Sequence, residues 1–153
     1  NIPVEVLTKA LELARSTPSA CNRQSWRTYV YTNKDRISRI LELQGGSSGF
    51  GHLTNKLIVV VADINCFDQC VERHQAFIDG GMYCMNLLYA LHYYKIAACP
   101  LNTAYEERFR GECGVKDSEV FIAMISCGIP PDSFSNPVSL RHDLATTNAV
   151  IND

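Results

Sequence analysis

Residues 18–27 concentrate side chains that are suited to binding chemistry. They read PSACNRQSWR, so hydroxyl groups, amides and two arginines surround the single tryptophan of the chain. Amides both donate and accept hydrogen bonds, and guanidinium groups bind anions. Polar loops on rigid elements often hold ligands, so this composition favours a site for a polar ligand. The alternative is a plain helix-to-strand connection around a buried Trp26.

Helices and strands alternate in the predicted secondary structure around this stretch. Leu7, Leu11 and Ala14 recur at helical spacing and predict a helix over residues 4–16. The other predicted elements are strands at 28–32, 57–62 and 120–126, helices after Asn33 and over 68–94 and 104–113, and loops at 44–51 and 97–102. The second half of the longest helix is apolar almost all round, which predicts a buried, central position. Residues 132–153 lack a helical stripe until their end and predict an arm.

Composition limits the classes of protein and of partner. With 153 residues, of which 46% are hydrophobic, the chain can form a single domain over residues 1–153 with one sizeable core. A net charge of -2 without a basic run argues against binding to nucleic acid or to a membrane surface. No apolar run is long enough to predict a transmembrane helix.

The seven cysteines favour reduced thiols. Their number is odd and no Cys-x-x-Cys pair occurs, which is typical of core and surface thiols in a cytoplasmic protein. Cys66, Cys70 and His74 follow one another at intervals of four, which would align them on one helix face. Structural zinc requires four ligands, and the sequence offers no fourth, so we expect no metal site here.

Residues 18–27 resemble the Pro-Ser-x-x-Asn-x-Gln-Pro-Trp signature of the FMN-dependent nitroreductase family, with Ser25 in place of the usual proline. Residues 79–91 are similar to the family's central helix, which commonly starts near an Asp-Gly pair. Later segments also match in order: residues 97–102 resemble the loop that touches the flavin ring, 119–130 the late strand with its Gly-x-Pro exit, and 137–141 the C-terminal phosphate-contacting segment. The form of residues 21–24 resembles that of members linked to polysaccharide biosynthesis.

The resemblance implies an α+β fold of the nitroreductase type. In that fold a central, mostly antiparallel sheet is flanked by helices, and an extended C-terminal arm completes an intertwined homodimer with FMN at the interface. The family's early Arg-Ser segment, which contacts the FMN phosphate, should lie before Ile2. We therefore expect sequence upstream of residue 1.

The resemblance also implies a set of cofactor-binding residues. Amide and hydroxyl groups of the first loop would meet the ribityl chain and the ring edge, small residues would lie against the ring, and Arg141 with Ser139 would meet the phosphate. The implied set is Pro18, Ser19, Ala20, Asn22, Gln24, Ala98, Cys99, Pro100, Leu101, Ser139 and Arg141. Arg23 and Arg27 are further candidates for the phosphate, although Arg27 is equally suited to a structural ion pair. No catalytic acid or base is assigned, because the flavin carries the chemistry.

The implied activity is that of an oxidoreductase. NADH or NADPH would reduce FMN, which would then reduce an electron-poor acceptor such as a nitro compound or a quinone. Two alternatives remain open at this point. One is flavin-dependent oxidation or dehalogenation of a specific metabolite, and the other is a flavin-binding protein without turnover.

Overall fold

The computed structural model describes residues 1–135 and 138–151. Within these residues four strands form one antiparallel sheet in the order β1-β2-β4-β3. The strands are β1 Trp26–Tyr31, β2 Lys56–Asp63, β3 Ala97–Leu101 and β4 Glu119–Gly128. The helices are α1 Val4–Ala14, α2 Lys34–Gln44, α3 Gln75–Tyr93, α4 Arg110–Cys113 and α5 Leu144–Thr147. The predicted α+β class with an antiparallel sheet is confirmed.

The sheet separates two hydrophobic clusters. The apolar run at residues 57–62 predicted a strand that is buried on both faces, and every residue of this run in β2 is fully buried. Alternate β2 residues point to opposite faces, so Ile58 and Val60 pack with α1 and α3. Leu57 and Val59 pack with α2 and with Phe109, just before α4.

The polar loop, which we define as residues 18–25, follows α1 and leads directly into β1. The predicted first helix is confirmed, although α1 ends at Ala14 rather than at residue 16. The predicted cap of α2 is confirmed, because the Asn33 side chain accepts a hydrogen bond from the Arg36 N–H. Gly45 ends α2 with a φ of 79°, a backbone angle that glycine adopts without strain.

Three predicted elements differ in the structure. The helix predicted from residue 68 begins only at Gln75, and two 3-10 turns occupy the segment before it. One reason is that the Asp63 carboxylate accepts the Asn65 N–H and so stabilises a turn at the end of β2. Consequently Cys66 and Cys70 do not share a helix with His74, and the expected alignment of these three residues is wrong. The described residues contain no group of three or more His, Cys, Asp or Glu side chains that could hold a metal ion.

The loop predicted at residues 97–102 is mostly a strand. Residues 97–101 pair with β4 as the edge strand β3, and Pro100 is tolerated because an edge strand leaves one side without ladder hydrogen bonds. The helix predicted at 104–113 is reduced to a 3-10 turn and the four-residue α4, although Gly114 ends it with a φ of 67° as expected.

The central helix α3 buries only one of its faces. Tyr83, Leu87 and Leu91 are buried against the sheet and α1, and Gly80 allows close approach to Ile122 of β4. The prediction of a helix buried all round is therefore wrong for the single chain, because the sheet and α1 cover only one side of α3. The opposite side carries an exposed apolar stripe: Ile78, Met82, Met85, Tyr89 and Tyr93. In the described parts of the chain, no helix combines the length and apolarity needed to span a membrane.

Candidate functional site

The polar loop has an unusual backbone. Cys21, Asn22 and Gln24 have φ angles of 51°, 55° and 48°, and among the described residues only Lys95 is another non-glycine residue with positive φ. Left-handed backbone costs free energy in residues with a side chain, least so for asparagine. Such conformations persist where the surroundings impose them, and they are concentrated at ligand sites.

Hydrogen bonds inside the loop fix this conformation. The Ser19 hydroxyl accepts the Gln24 N–H at 3.0 Å, and the Gln24 side-chain amide donates to the Asn22 side-chain oxygen at 3.0 Å. Both amide side chains are exposed, so they can also bind a ligand. Pro18 is exposed, and Ala20 is half-buried beside them. Five predicted site residues, Pro18, Ser19, Ala20, Asn22 and Gln24, are thus brought together in one loop.

The loop is anchored to α3 by a buried carboxylate. Asp79 is only 1% exposed, and its oxygens accept the Ala20 N–H at 3.1 and 3.3 Å and the Gln75 side-chain amide at 2.8 Å. Behind the loop, Trp26 stacks on Tyr83 of α3 with the ring centroids 4.9 Å apart. Trp26 is therefore buried as predicted, and the loop is attached to α3, which packs against the sheet.

The two arginines of the stretch have partners within the protein. Arg23 forms an ion pair with Glu72 and lies over the Phe67 ring, at 5.3 Å from its centroid. The hydrogen bond that Arg23 donates to the Glu72 carboxylate raises the pKa of Arg23 above its ordinary value. Arg27 donates to the carbonyl oxygens of Gln24 and Trp26 at 3.0 and 2.7 Å. The expectation that Arg27 forms a structural ion pair with an acid is therefore wrong. Its guanidinium donates to backbone carbonyls instead.

A second group of predicted residues lines a cleft at the sheet edge, which we call the β3 cleft. It has a volume of about 220 Å³, and its walls include Ala97, Ala98 and Cys99 of β3, Ser126 of β4, and Phe50 and Leu53 from the loop after α2. A buried hydrogen bond of 2.7 Å joins the hydroxyls of Ser126 and Thr54 at its base. The lining is mostly apolar and combines small β3 side chains with the larger Phe50 and Leu53, which suits the flat face of a planar ring.

The remaining predicted residues lie outside this cleft. Pro100 is exposed, whereas the Leu101 side chain is buried in the cluster beneath α2, where it packs rather than faces the cleft. Ser139 and Arg141 lie on the exposed C-terminal arm, and the Arg141 guanidinium donates to the carbonyls of Ser139 and Leu140. Pro137, which begins the segment that resembles a phosphate-contacting motif, lies outside the described residues.

The polar loop and the β3 cleft are at opposite ends of the sheet. Trp26 pairs with Ala62, which pairs with Val120 at the start of β4, whereas Ala97 pairs with Gly128 at the end of β4. Eight residues of extended strand span about 26 Å. The length of α3 also shows that the two regions are far apart. Ala20 contacts Asp79 near the beginning of this helix, whereas β3 begins just after its end. One planar ligand cannot touch both groups in a single chain.

A wider cleft of about 500 Å³ lies between α1 and β1, near the loop end of the sheet. Its lining includes Arg27, Tyr29 and the buried Glu119. The Tyr29 hydroxyl donates to Glu119 at 2.7 Å, and this hydrogen bond raises the pKa of Tyr29 to about 12. Of the predicted cofactor-binding residues, only Arg27, the further candidate for the phosphate, lines this cleft.

Sequence reasoning missed several residues that shape the two regions. Asp79 was noted only as part of an Asp-Gly pair, although an aspartate within an apolar helical pattern is a signal for a directed hydrogen bond. Glu72 lies within the helix predicted over residues 68–94 and Phe67 lies just before it, so their contact with Arg23 had no sequence signal. Thr54 and Ser126 are distant in sequence, and only the β2–β4 pairing brings them together.

Comparison with known proteins supports the resemblance. A family model described as the nitroreductase family matches residues 1–47, which include the polar loop. No curated protein shows significant sequence similarity to the chain. Three solved structures share the fold over almost all of the chain.

The protein ydfN of Bacillus subtilis, assigned as a nitroreductase, is 14% identical, with a TM-score of 0.89 and coverage of 98% of this chain and 89% of its own. An assigned NAD(P)H:FMN oxidoreductase of Staphylococcus epidermidis is 15% identical, with a TM-score of 0.86 and coverage of 99% and 87%. Iodotyrosine deiodinase, solved with FMN and 3-iodo-L-tyrosine, is 16% identical, with a TM-score of 0.75 and coverage of 94% and 89%. The predicted nitroreductase-like fold is therefore confirmed.

Proposed function

Because the chain has a nitroreductase-like fold, we propose that it is an FMN-dependent oxidoreductase. The observation that carries this proposal is the polar loop, whose signature residues are held in a left-handed conformation with two exposed amides. The family match over residues 1–47 includes this loop. The S. epidermidis protein and the deiodinase are both described with FMN, which supports the same cofactor here.

The residues present fit FMN by their chemistry. Ser19, Asn22 and Gln24 would supply neutral donors and acceptors to its polar edge and ribityl hydroxyls. Ala98 and Cys99, with the neighbouring Pro100 and Leu101 backbone, would lie along the ring. Arg141 would meet the phosphate with Ser139, since its guanidinium has only backbone carbonyls as recorded partners.

We place the cofactor between two copies of the chain. The polar loop and the β3 cleft are separated by about 26 Å along β4, so each would complete the site begun by the other subunit. The exposed stripe of α3 supports a second copy as the partner, because five large apolar side chains on one helix face are unusual on a monomer. The described part of the arm adds Val138, Leu140, Leu144 and Val150, all at least 76% exposed.

When bound, FMN would supply hydride transfer from NADH or NADPH to an electron-poor acceptor such as a nitro compound or a quinone. The role of the chain would be to bind and orient. The described lining of the β3 cleft includes no carboxylate, imidazole or amine, and Cys99 is its only titratable side chain. We therefore assign no catalytic acid or base. All seven thiols are free, which agrees with the cytoplasmic location that we propose.

Reconstitution tests the proposal directly. The purified chain is incubated with excess FMN, desalted, and examined for flavin absorbance and for FMN released on denaturation. Stopped-flow mixing with NADH and with NADPH then measures bleaching of the bound flavin, followed by reoxidation with a nitroaromatic compound or a quinone. Protein without flavin after desalting would contradict the proposal. Bound flavin that neither nucleotide reduces would instead indicate a passive flavin-binding protein.

A second candidate is dehalogenation or oxidation of a specific metabolite. The structural match to iodotyrosine deiodinase, which covers 94% of the chain, supports this candidate. The same reduced protein is mixed with 3-iodo-L-tyrosine, and released iodide is measured. Iodide release that is faster than reduction of nitro compounds or quinones would favour this candidate.

A further inference from the structure

We propose that Glu72 and Asp79 are positioning residues that hold the polar loop in its ligand-binding conformation. In this arrangement the ion pair with Glu72 holds Arg23 in place, and Arg23 is not a ligand of the FMN phosphate. The inference rests on the function proposed above, and it assigns roles to two carboxylates that lie outside the signature itself.

The polar loop needs external restraint because three of its residues are strained. Cys21, Asn22 and Gln24 all have positive φ angles, and no glycine occurs within the loop. A strained backbone of this kind relaxes to a more favourable conformation unless contacts with neighbouring groups hold it in place. Two contacts from outside the loop meet this need, one just before the strained residues and one among them. Asp79 holds Ala20, just before them, and Glu72 holds Arg23, which lies between Asn22 and Gln24.

The Asp79 contact is a directed hydrogen bond to the backbone. Its carboxylate is almost fully buried, accepts the Ala20 N–H at 3.1 Å, and is oriented by the Gln75 amide at 2.8 Å. The described residues place no cationic side chain within ion-pair distance of it. Burying a carboxylate without a counter-charge is unfavourable, so its presence is best explained by the backbone geometry that it imposes.

The Glu72 contact neutralises the cation of the loop. The Arg23 side chain is 27% exposed and that of Glu72 is 21% exposed, and the guanidinium also lies over Phe67. Arg23 is therefore turned toward the segment that precedes α3, with its charge already compensated. A phosphate would have to displace Glu72, whereas Arg141 on the arm has only carbonyl partners to give up.

Comparing FMN with riboflavin distinguishes the two roles of Arg23. Riboflavin lacks the phosphate, so a phosphate ligand matters only for FMN. We expect Arg23→Ala and Glu72→Ala each to weaken the binding of both flavins by about tenfold, as loss of a charged hydrogen bond would. The double variant should be no weaker than either single variant, because both changes break the same contact. Glu107 is exposed and forms no ion pair with the described residues, so Glu107→Ala provides the control.

The opposite pattern would overturn the assignment of Arg23 and Glu72. If Arg23 binds the phosphate, Arg23→Ala would weaken FMN but not riboflavin. Glu72→Ala would then tighten FMN, because it releases the cation from its internal partner. Unchanged affinity for both flavins in both variants would also reject the proposal.

Asp79 is tested by a graded pair of variants. Asp79→Ala removes the acceptor for the Ala20 N–H and should weaken both flavins by more than about tenfold, whereas Asp79→Asn keeps an oxygen and should recover part of the affinity. The visible circular dichroism of the bound flavin should change in Asp79→Ala and return toward wild type in Asp79→Asn. Equal affinities and spectra in the two variants would reject the role.

Melting temperatures of the apoproteins separate positioning from global stability. If Asp79→Ala fails to fold, the Arg23 and Glu72 variants still decide the proposal for their contact, and Asp79→Asn decides it for Asp79 by its spectrum. If wild-type protein binds neither flavin, the proposed function fails. If wild-type protein binds and the variants are unchanged, only the positioning proposal fails.

Discussion

The two ends of the sheet are built in different ways. At the polar loop, side-chain hydrogen bonds and an ion pair hold a strained backbone, and exposed amides are presented to solvent. At the β3 cleft, small side chains of β3 and larger apolar side chains from the adjoining loops form the walls, with one buried hydroxyl pair beneath them. The loop therefore presents directed hydrogen-bond donors and acceptors, whereas the cleft provides a mostly apolar concave surface.

This difference agrees with the proposal that each region forms one half of a single flavin site. A flavin needs a flat surface for its ring and polar partners for its edge and side chain. The cleft lacks most of those polar groups, and residues 18–25 of the loop line neither of the two clefts described above. Because about 26 Å separates them, the proposed site takes the complement of each half from a second chain.

The largest predicted effect tests this division by complementation. Asn22→Leu with Gln24→Leu removes the polar half, and Cys99→Trp fills the cleft with a large side chain. Each variant alone should lose FMN binding. In a heterodimer of the two, one site combines both defects and the other combines the two intact halves. We expect recovery of one FMN per dimer, measured by flavin absorbance of doubly tagged heterodimer.

The matched control places all three substitutions on one chain and pairs it with a wild-type chain. In this heterodimer each composite site carries one defective half, so FMN should be absent. If each chain instead holds its own flavin, the control heterodimer would bind one FMN and the complementation pair would bind none. The two arrangements therefore give opposite results.

The second prediction concerns the arm. Deleting residues 136–153 removes the exposed apolar residues together with Arg141, so both dimer stability and FMN affinity should fall by about tenfold or more. Sedimentation and flavin titration measure the two losses. Arg141→Ala should weaken FMN binding and leave the dimer intact. A stable, flavin-replete dimer without the arm would show that neither the arm nor Arg141 has the proposed role.

The third prediction uses the rates of cysteine alkylation to test whether FMN covers the β3 cleft. Cys21, Cys70 and Cys99 are exposed, whereas burial raises the pKa of Cys84 and Cys127 to about 12 and that of Cys113 to about 11. FMN should slow alkylation of Cys99 by about tenfold by blocking access, with little change at Cys70, which lies in neither half-site. Peptide mapping after alkylation, with and without FMN, measures each rate. Equal alkylation rates of Cys99 with and without FMN would show that the β3 cleft is not part of the flavin site.

Local patterns predicted most elements of this fold. Continuous apolar sequence identified β2, Asn33 identified the start of α2, and the predicted loop at residues 44–51 marked the end of that helix. β3 was missed as a strand because Pro100 and small residues weaken the strand pattern, and only its pairing with β4 reveals it. The unexpected turns before α3 depend on hydrogen bonds and on packing with Arg23, which no local pattern records.

The candidate site was predictable in residue types but not in arrangement. The composition of the polar loop indicated a polar ligand, and the structure shows its amides exposed as that interpretation requires. The separation of the loop from the β3 cleft follows from strand register, which is a property of the whole sheet. The inward packing of Leu101 likewise depends on which strand face meets α2.

The smallest predicted effect concerns a polar contact at the loop end that lies outside both half-sites. Tyr29 donates to the buried Glu119, and this hydrogen bond is the main reason that the pKa of Tyr29 is raised from 10.0 to about 12. A raised pKa means that folding stabilises the protonated phenol. The contribution is therefore complete below about pH 10 and is lost as the pH rises from 10 toward 12.

We expect Tyr29→Phe to lower the free energy of unfolding by about 1 kcal/mol at neutral pH, the usual net value of one hydrogen bond. Glu119 keeps its other donor, the Lys116 N–H, so the loss should be modest. The difference between wild type and variant should shrink above about pH 10, whereas FMN affinity should not change, because Tyr29 lies in neither half-site. Urea unfolding of the apoprotein across this pH range measures the difference, with Tyr105→Phe as an exposed control. A difference that stays constant with pH would show that the lost stability reflects packing of the ring and not the bond to Glu119.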